Sequence, residues 1–374
     1  MTIPAAAEVG MPLSQVDTPC LMLELDAFER NLRRLPDSLK GRDVRLRPHA
    51  KSHKSADIAL RQIALGAAGV CVQKVSEAAA LIEAGVKDIL IANEVVGAPK
   101  LELLAGLNRR AHVAVCADDA GNVSALDAAA RAAGLSLDVL VEVDVGANRC
   151  GVQPGGPAVA LAAQISRASN LRFAGLQAYQ GSAQHIRSVG ERQEAITRAV
   201  DYVRMTTRML TEAGMKCEYV TGAGTGSYMF EAASNVYHEI QAGSYIFMDA
   251  DYGRNLDRDG APIRSFEPSL FVWATVMSRP TDDRAIVDAG LKALAFDSGP
   301  PTVWDEPAAT YERASDEHGR LGITSTTNRL KLGDKVKLVP GHCDPTVNLY
   351  DWYVGIRGDR VAAIWPITAR GAVY

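Results

Sequence analysis

Residues 48–54 read Pro-His-Ala-Lys-Ser-His-Lys and close a short run of alternating apolar and polar residues, Val44 to His49, which places Lys51 at the end of an expected strand. A primary amine there, partly desolvated by its neighbours, suits a Schiff base to a carbonyl cofactor. A solvated basic loop contains the same residue types, so the heptapeptide alone does not separate the two readings. Further along, Thr221-Gly-Ala-Gly-Thr-Gly-Ser227 and Gly243-Ser244 supply glycines that let backbone N–H groups approach phosphate oxygens, and hydroxyls that add donors. An amine opposite a phosphate cradle suggests pyridoxal 5'-phosphate, the alternative being a flexible glycine turn. In Gly341-His-Cys-Asp-Pro345, extended backbone would put His342 and Asp344 on one face and Cys343 on the other. One imidazole and one carboxylate suit a divalent ion such as Mn²⁺ or Mg²⁺, with Zn²⁺ also open. On spacing alone, a hydrogen-bonded His/Asp turn is the competing explanation.

These residues need a frame, and between residues 44 and 247 the chain repeats a short β-branched run followed by an Ala/Leu-rich helical pattern. The expected strands are Val44–His49, Gly69–Gln73, Asp88–Asn93, His112–Asp118, Leu137–Asp144, Phe173–Tyr179, Cys217–Thr221 and Glu239–Phe247. Helices are expected over Ser55–Leu65, Ser76–Ala84, Lys100–Asn108, Asn122–Ala133, Ala158–Ser166 and Glu191–Ala213. Eight such units predict an α/β fold of the (β/α)8 TIM-barrel type, with its active site where strands end and helices begin. The polar residues gather there: Lys51, Gln73, Asn93, Glu94, Arg149, Tyr179 and the glycine loop. After residue 266 the helical pattern gives way to strands at Ser269–Met277, Arg284–Asp288, Lys335–Val339, Trp352–Arg357 and Val361–Ile367, an expected antiparallel β domain. The reading is thus three segments: 1–25, whose run Cys20–Leu25 can join the β domain; 26–265, the barrel; and 266–374, the β domain carrying the metal ligands.

Composition narrows the function classes. The 374 residues carry a net charge of −4 with Lys and Arg dispersed, which argues against a nucleic-acid partner. Met1–Gln15 lacks an export-signal pattern and no window has the apolar length of a membrane span, so a cytoplasmic, membrane-free protein is expected. The six cysteines lack paired spacing and read as free thiols.

Taken together the motifs resemble the D-threonine aldolase and D-serine dehydratase group of fold-type III pyridoxal phosphate enzymes, relatives of alanine racemase. The resemblance runs from Asp17-Thr-Pro19 through Pro48–Lys51, Gln73–Glu77, Arg149-Cys-Gly151, Gln177-Ala-Tyr179, Thr221–Ser227, Asp288–Lys292, Asp316–Gly319 and His342–Pro345. It implies a homodimer in which the β domain of one subunit closes the barrel of the other. It also implies that Lys51 holds the cofactor covalently, Arg149 contacts its phenolic oxygen and Tyr179 approaches its pyridine nitrogen. Gly224, Thr225, Gly243 and Ser244 are implied to hold the phosphate, with Thr221 counted among the cofactor-binding residues, and His342 and Asp344 to bind the metal. His185, otherwise a loop histidine, is the candidate base for the substrate hydroxyl. The dehydratase branch resembles His-x-Cys where this chain has His342-x-Asp344, so the expected reaction is aldol cleavage, D-threonine to glycine and acetaldehyde, unless a strand shift presents Cys343. Asp249–Arg254 and Asp351–Tyr353 resemble the 3-hydroxy-D-aspartate aldolases, which makes glyoxylate the alternative product and Arg254 either a reader of a second carboxylate or a solvated loop arginine. A pyridoxal phosphate carrier would need no His342/Asp344 pair, and a racemase would need a tyrosine base and no metal.

Overall fold

A computed structural model describes residues 5–324 and 330–374. Eight parallel strands stand in the spatial order Arg45–Leu46, Glu239–Ile240, Tyr219–Gly222, Leu171–Ala178, Leu137–Glu142, His112–Ala117, Asp88–Glu94 and Val70–Val72. A bridge between His49 and Cys71, with the Cys71 N–H donating to the Pro48 carbonyl at 2.9 Å, joins the two ends into the expected barrel. Leu90, Ala114, Cys116, Leu140 and Ala174 fill its interior. The outward residues of the same strands, such as Ile89, Ile91, Val139 and Val141, pack under the helices.

The first and last barrel strands are shorter than expected. The first ends at Leu46 and a 3-10 turn forms over Ala50–Ser52, because Pro48 has no N–H to extend the ladder. The eighth ends at Ile240, and the chain turns again over Ser244–Ile246. A helix the sequence reading did not anticipate, Leu25–Leu39, buries Leu25, Phe28, Leu32, Leu35 and Leu39 at helical spacing despite Pro36 within it. The Asn31 amide fixes it to the segment after the eighth strand by donating to the carbonyls of Ile246 (3.2 Å) and Glu267 (2.7 Å).

The second sheet has nine strands. Beyond those expected, it contains Thr302–Trp304, Ala309–Ala314 and Gly319–Ile323. Cys20–Glu24 lies in its middle, antiparallel to Leu270–Thr281 and parallel to Trp352–Arg357. One apolar cluster runs from Ile240, Ala242 and Phe247 at the barrel to Leu270, Val272, Leu338 and Tyr353 in the sheet. That continuity fixes the loop after Lys335–Val339 over the barrel mouth. Among the described residues no helix is long and apolar enough to cross a membrane.

Charged residues on and beside the barrel strands form a belt. Buried Glu239 takes Arg45 at 2.8 Å and Arg47 at 2.9 Å, while His112 bridges Asp88 (3.2 Å) and Asp138 (2.8 Å), and Arg172 ties Asp138 to Glu218. Hydrogen bonds to Asp138 and then Asp88 raise the His112 imidazolium to about 9. A group whose folded pKa is raised lends stability that is fully present below its unfolded value, near 6.5, and lost as pH rises through about 9. His112→Gln is therefore expected to lower stability by about 1 kcal/mol at pH 6, a figure held down by the half-exposed ring, and by nothing at pH 10. Urea unfolding of both proteins across that range measures it.

Candidate active site

The C-terminal ends of the strands surround a cavity of about 240 Å³. Lys51, Arg149, Tyr179, His185, Gly224, Thr225, Gly243, Ser244, His342 and Asp344 all line it. Thr221 does not; it lies buried below the floor, where its hydroxyl accepts from the Gln241 amide at 2.8 Å. Gln241 in turn exchanges hydrogen bonds with Gln177 (2.8 and 3.1 Å). The sequence motifs assign no role to these glutamines, nor to His49 and Tyr252, which also line the cavity.

Lys51 sits in the 3-10 turn after the first strand. Backbone contacts hold that turn: the Ser52 hydroxyl donates to the His49 carbonyl at 3.0 Å and the Lys54 N–H to the Ala50 carbonyl at 2.7 Å. The Lys51 ammonium lies 3.1 Å from Asp344 Oδ2, which, against the opposing effect of burial, raises its pKa. His49 is buried beside it and bonded to the Gln73 side chain at 2.8 Å; burial first, then the Lys51 charge, keeps this imidazole neutral. Gly243 must be glycine because a Cβ would fall 2.7 Å from the His49 carbonyl oxygen.

Across the cavity the loop after the seventh strand is braced from behind. Gln184 accepts from the Gly226 N–H at 2.9 Å and donates to the Ser227 hydroxyl at 2.7 Å, which donates to buried Glu231 at 2.8 Å. A Cβ on Gly224 would meet Gln184 Oε1 at 2.5 Å. The Thr225 hydroxyl is buried and has no hydrogen-bond partner among the described residues, an orphaned donor at a loop shaped for phosphate. Amine, cradle and orphan together fit pyridoxal 5'-phosphate. Arg149 lies 5.6 Å from the centroid of the Tyr179 ring on the intervening wall.

His342 and Asp344 do converge, but not through the extended backbone expected. His342 is extended, and Cys343–Val347 then forms a short helix that turns the Asp344 carboxylate back toward it, with Nε2 and Oδ2 4.0 Å apart. His342 Nδ1 is held by Asp297 Oδ2 at 2.7 Å, which leaves Nε2 facing Asp344. A carboxylate behind a histidine whose other nitrogen faces a second carboxylate is the usual outer shell of a metal ligand, so this donor set fits a divalent ion. Burial opposes the Asp344 charge, but Lys51 and His342 outweigh it and hold the carboxyl well below the usual range. Cys343 is fully buried and points its thiol to Asp344 Oδ1 at 3.2 Å, outside the residues lining the cavity.

His185 is fixed by a residue the sequence reading did not single out. Its Nδ1 lies 2.6 Å from Asp251 Oδ2, and its ring stacks on Tyr252 at 6.3 Å between centroids. Asp251 also accepts from Arg187 and, at 2.7 Å, from Arg254 Nη2. These contacts correct the expectation for Arg254: its guanidinium is committed to Asp251 and the Ser298 carbonyl, and it does not line the cavity.

The chain matches the alanine racemase N-terminal domain over residues 23–251 and a serine dehydratase domain over 269–356. It is 50% identical to a D-threonine aldolase of Arthrobacter sp. over 99% of this chain and 97% of that one. It is 46% identical to a 3-hydroxy-D-aspartate aldolase of Paracoccus denitrificans, covering 98% and 95%. The crystal structure of D-threonine aldolase from Filomicrobium marinum superposes over 100% of both chains with a TM-score of 0.96 and 52% identity. With relatives this similar along its whole length, the chain belongs to the D-threonine aldolase-like family of fold-type III pyridoxal phosphate enzymes.

Proposed function

We propose that the protein cleaves D-3-hydroxy amino acids by a retro-aldol reaction, D-threonine to glycine and acetaldehyde, with pyridoxal 5'-phosphate and a divalent metal, Mn²⁺ first and Mg²⁺ second. The observation that carries this reading is the convergence on one cavity of the Lys51 amine, a glycine-hydroxyl cradle and the His342/Asp344 pair. The cofactor supplies an electron sink for the charge left on the substrate α-carbon, and the cation a Lewis acid for the hydroxyl. Lys51 provides the attachment amine; Gly224, Thr225, Gly243 and Ser244 would hold the phosphate; Arg149 and Tyr179 flank the ring. His342 and Asp344 would hold the cation.

His185 acts as base. With Nδ1 turned to Asp251, its free Nε2 is the nitrogen available to take the hydroxyl proton. Asp344 in place of cysteine supports aldol cleavage over dehydration, since a carboxylate suits hard ions whereas a thiolate suits zinc. The Lys51, Arg149 and His185 side chains are 42%, 52% and 54% exposed, a mouth that a second copy of the chain would cover in the proposed homodimer. The relative from Paracoccus denitrificans supports 3-hydroxy-D-aspartate, giving glycine and glyoxylate, as the second substrate to test.

Proton NMR of the products from D-threonine, with cofactor and Mn²⁺ added, is expected to show glycine and acetaldehyde, and no product after chelation. Formation of 2-oxobutyrate would assign the chain to dehydration, and turnover that survives chelation would remove the metal from the mechanism.

A further inference from the structure

Behind Arg149 the cavity wall holds more acid than cation. Glu142 closes the strand Leu137–Glu142, is 3% exposed, and places Oε1 3.5 Å from Arg149 Nη2. Among the described residues no hydrogen-bond donor reaches its Oε2 or the buried Oε1 of Glu94, at the end of Asp88–Glu94, and the Glu94 carboxyl acts on that of Glu142. Asp118 adds to the acid here, with a carboxylate oxygen within 4.8 Å of one on Glu94, and its own Oδ2 accepts from the Gly151 N–H at 2.9 Å. Cys150 and the fully buried Cys116 also face the pair, as neutral thiols pushed up by burial and then by these carboxylates. Two ionised carboxylates on one buried wall, with a single guanidinium 3.5 Å from Glu142, repel each other.

We propose that Glu94 and Glu142 share a single proton, and that this proton sets how firmly Arg149 is drawn back from the cavity, making the two acids positioning residues for it. With the proton present the pair carries one negative charge against one positive. Without it the pair carries two, and Arg149 is pulled toward Glu142 and away from an anionic oxygen in the cavity. Burial first, then Glu94, raises the Glu142 carboxyl to about 8, so the change falls in the range where the protein can be studied. The effect on the cofactor rests on the reading of Arg149 given above; the shared proton does not.

The test follows urea unfolding from pH 5 to 9 for the wild type and Glu142→Gln, without cofactor, in parallel with and without EDTA. A carboxyl whose folded pKa is raised lends stability that is present below its unfolded value and lost as pH rises through the folded one. The wild type is therefore expected to lose ground to Glu142→Gln between pH 5 and 8, by up to about tenfold in the unfolding constant per pH unit. Parallel curves overturn the proposal, as does a difference that appears only when EDTA is omitted, since that marks a bound cation in place of the proton. Glu94→Gln, expected to flatten the same difference, serves if Glu142→Gln does not fold.

The second measurement is the affinity for pyridoxal 5'-phosphate by absorbance across pH 7 to 9. Wild-type affinity is expected to fall above pH 8, and that of Glu142→Gln to fall less. Equal slopes overturn the link to Arg149. Failure of both proteins to bind the cofactor at any pH would overturn the proposed function, while the unfolding curves still decide the proton.

Discussion

Lys51→Ala is expected to abolish the visible absorption band of the cofactor-loaded protein and to lower aldol cleavage by at least about 10³-fold, with the fold retained. The fold survives because the turn carrying Lys51 is held by the Ser52 hydroxyl on the His49 carbonyl and by the Lys54 N–H on the Ala50 carbonyl, and not by the lysine side chain. That side chain makes one ion pair, to Asp344. Its loss leaves a buried carboxylate without its nearest cation, at a cost of about 1–2 kcal/mol, below that of a fully buried pair because Lys51 is half open to water. A divalent ion bound at Asp344 would restore the balance, so Mn²⁺ should raise the melting temperature of Lys51→Ala more than that of the wild type. Absorbance spectra, product assays and melting curves with and without Mn²⁺ check the three parts. Retention of the absorption band in Lys51→Ala would move the attachment point elsewhere.

The parts of this site that could be read from sequence are those governed by local rules. Parallel strands buried on both faces appear as apolar runs such as Ile89–Ala92 and Val139–Val141, and their count points to the barrel and to the end where the polar cavity opens. Strand ends were less legible, because Pro48 and Gly243 cut the ladder for reasons of donor chemistry and close approach. His342 and Asp344 were found as residues but misplaced as geometry. The chain enters a helix at Cys343, and Pro345 fits the first turn, where its missing N–H costs nothing. The helix Leu25–Leu39 was hidden by Pro36 although its apolar stripe was present. Asp251 and Asp297 carried no signal at all. Each acts by meeting a histidine 66 or 45 positions away, and nothing local distinguishes such an acid from a solvated one. In the Asp249–Arg254 segment it is the acid three residues before the arginine that meets His185 on the cavity wall.

That acid supports the second large effect. Asp251→Asn is expected to lower kcat by about 10²–10³-fold with little change in KM. The ionised carboxylate receives Arg187 and Arg254 on one oxygen and the His185 N–H on the other; burial opposes its charge, but Arg187 and His185 outweigh burial and keep its pKa below the ordinary value. An asparagine amide in its place has one acceptor and one donor. Turning the NH₂ toward two guanidinium groups would oppose like partners, so the oxygen stays with the arginines and the NH₂ faces His185. Nδ1 must then accept, the ring proton moves to Nε2, and the nitrogen directed at the substrate can no longer take a proton. Arg254→Ala separates this effect from simple loosening of the loop, since it removes one arginine and leaves the Asp251–His185 contact in place. It is expected to change kcat by less than about tenfold and to alter KM for D-threonine and 3-hydroxy-D-aspartate in the same ratio. Steady-state kinetics of both variants on both substrates decide it. A loss in Arg254→Ala confined to 3-hydroxy-D-aspartate would return that arginine to substrate recognition, and full activity in Asp251→Asn would remove His185 as the base.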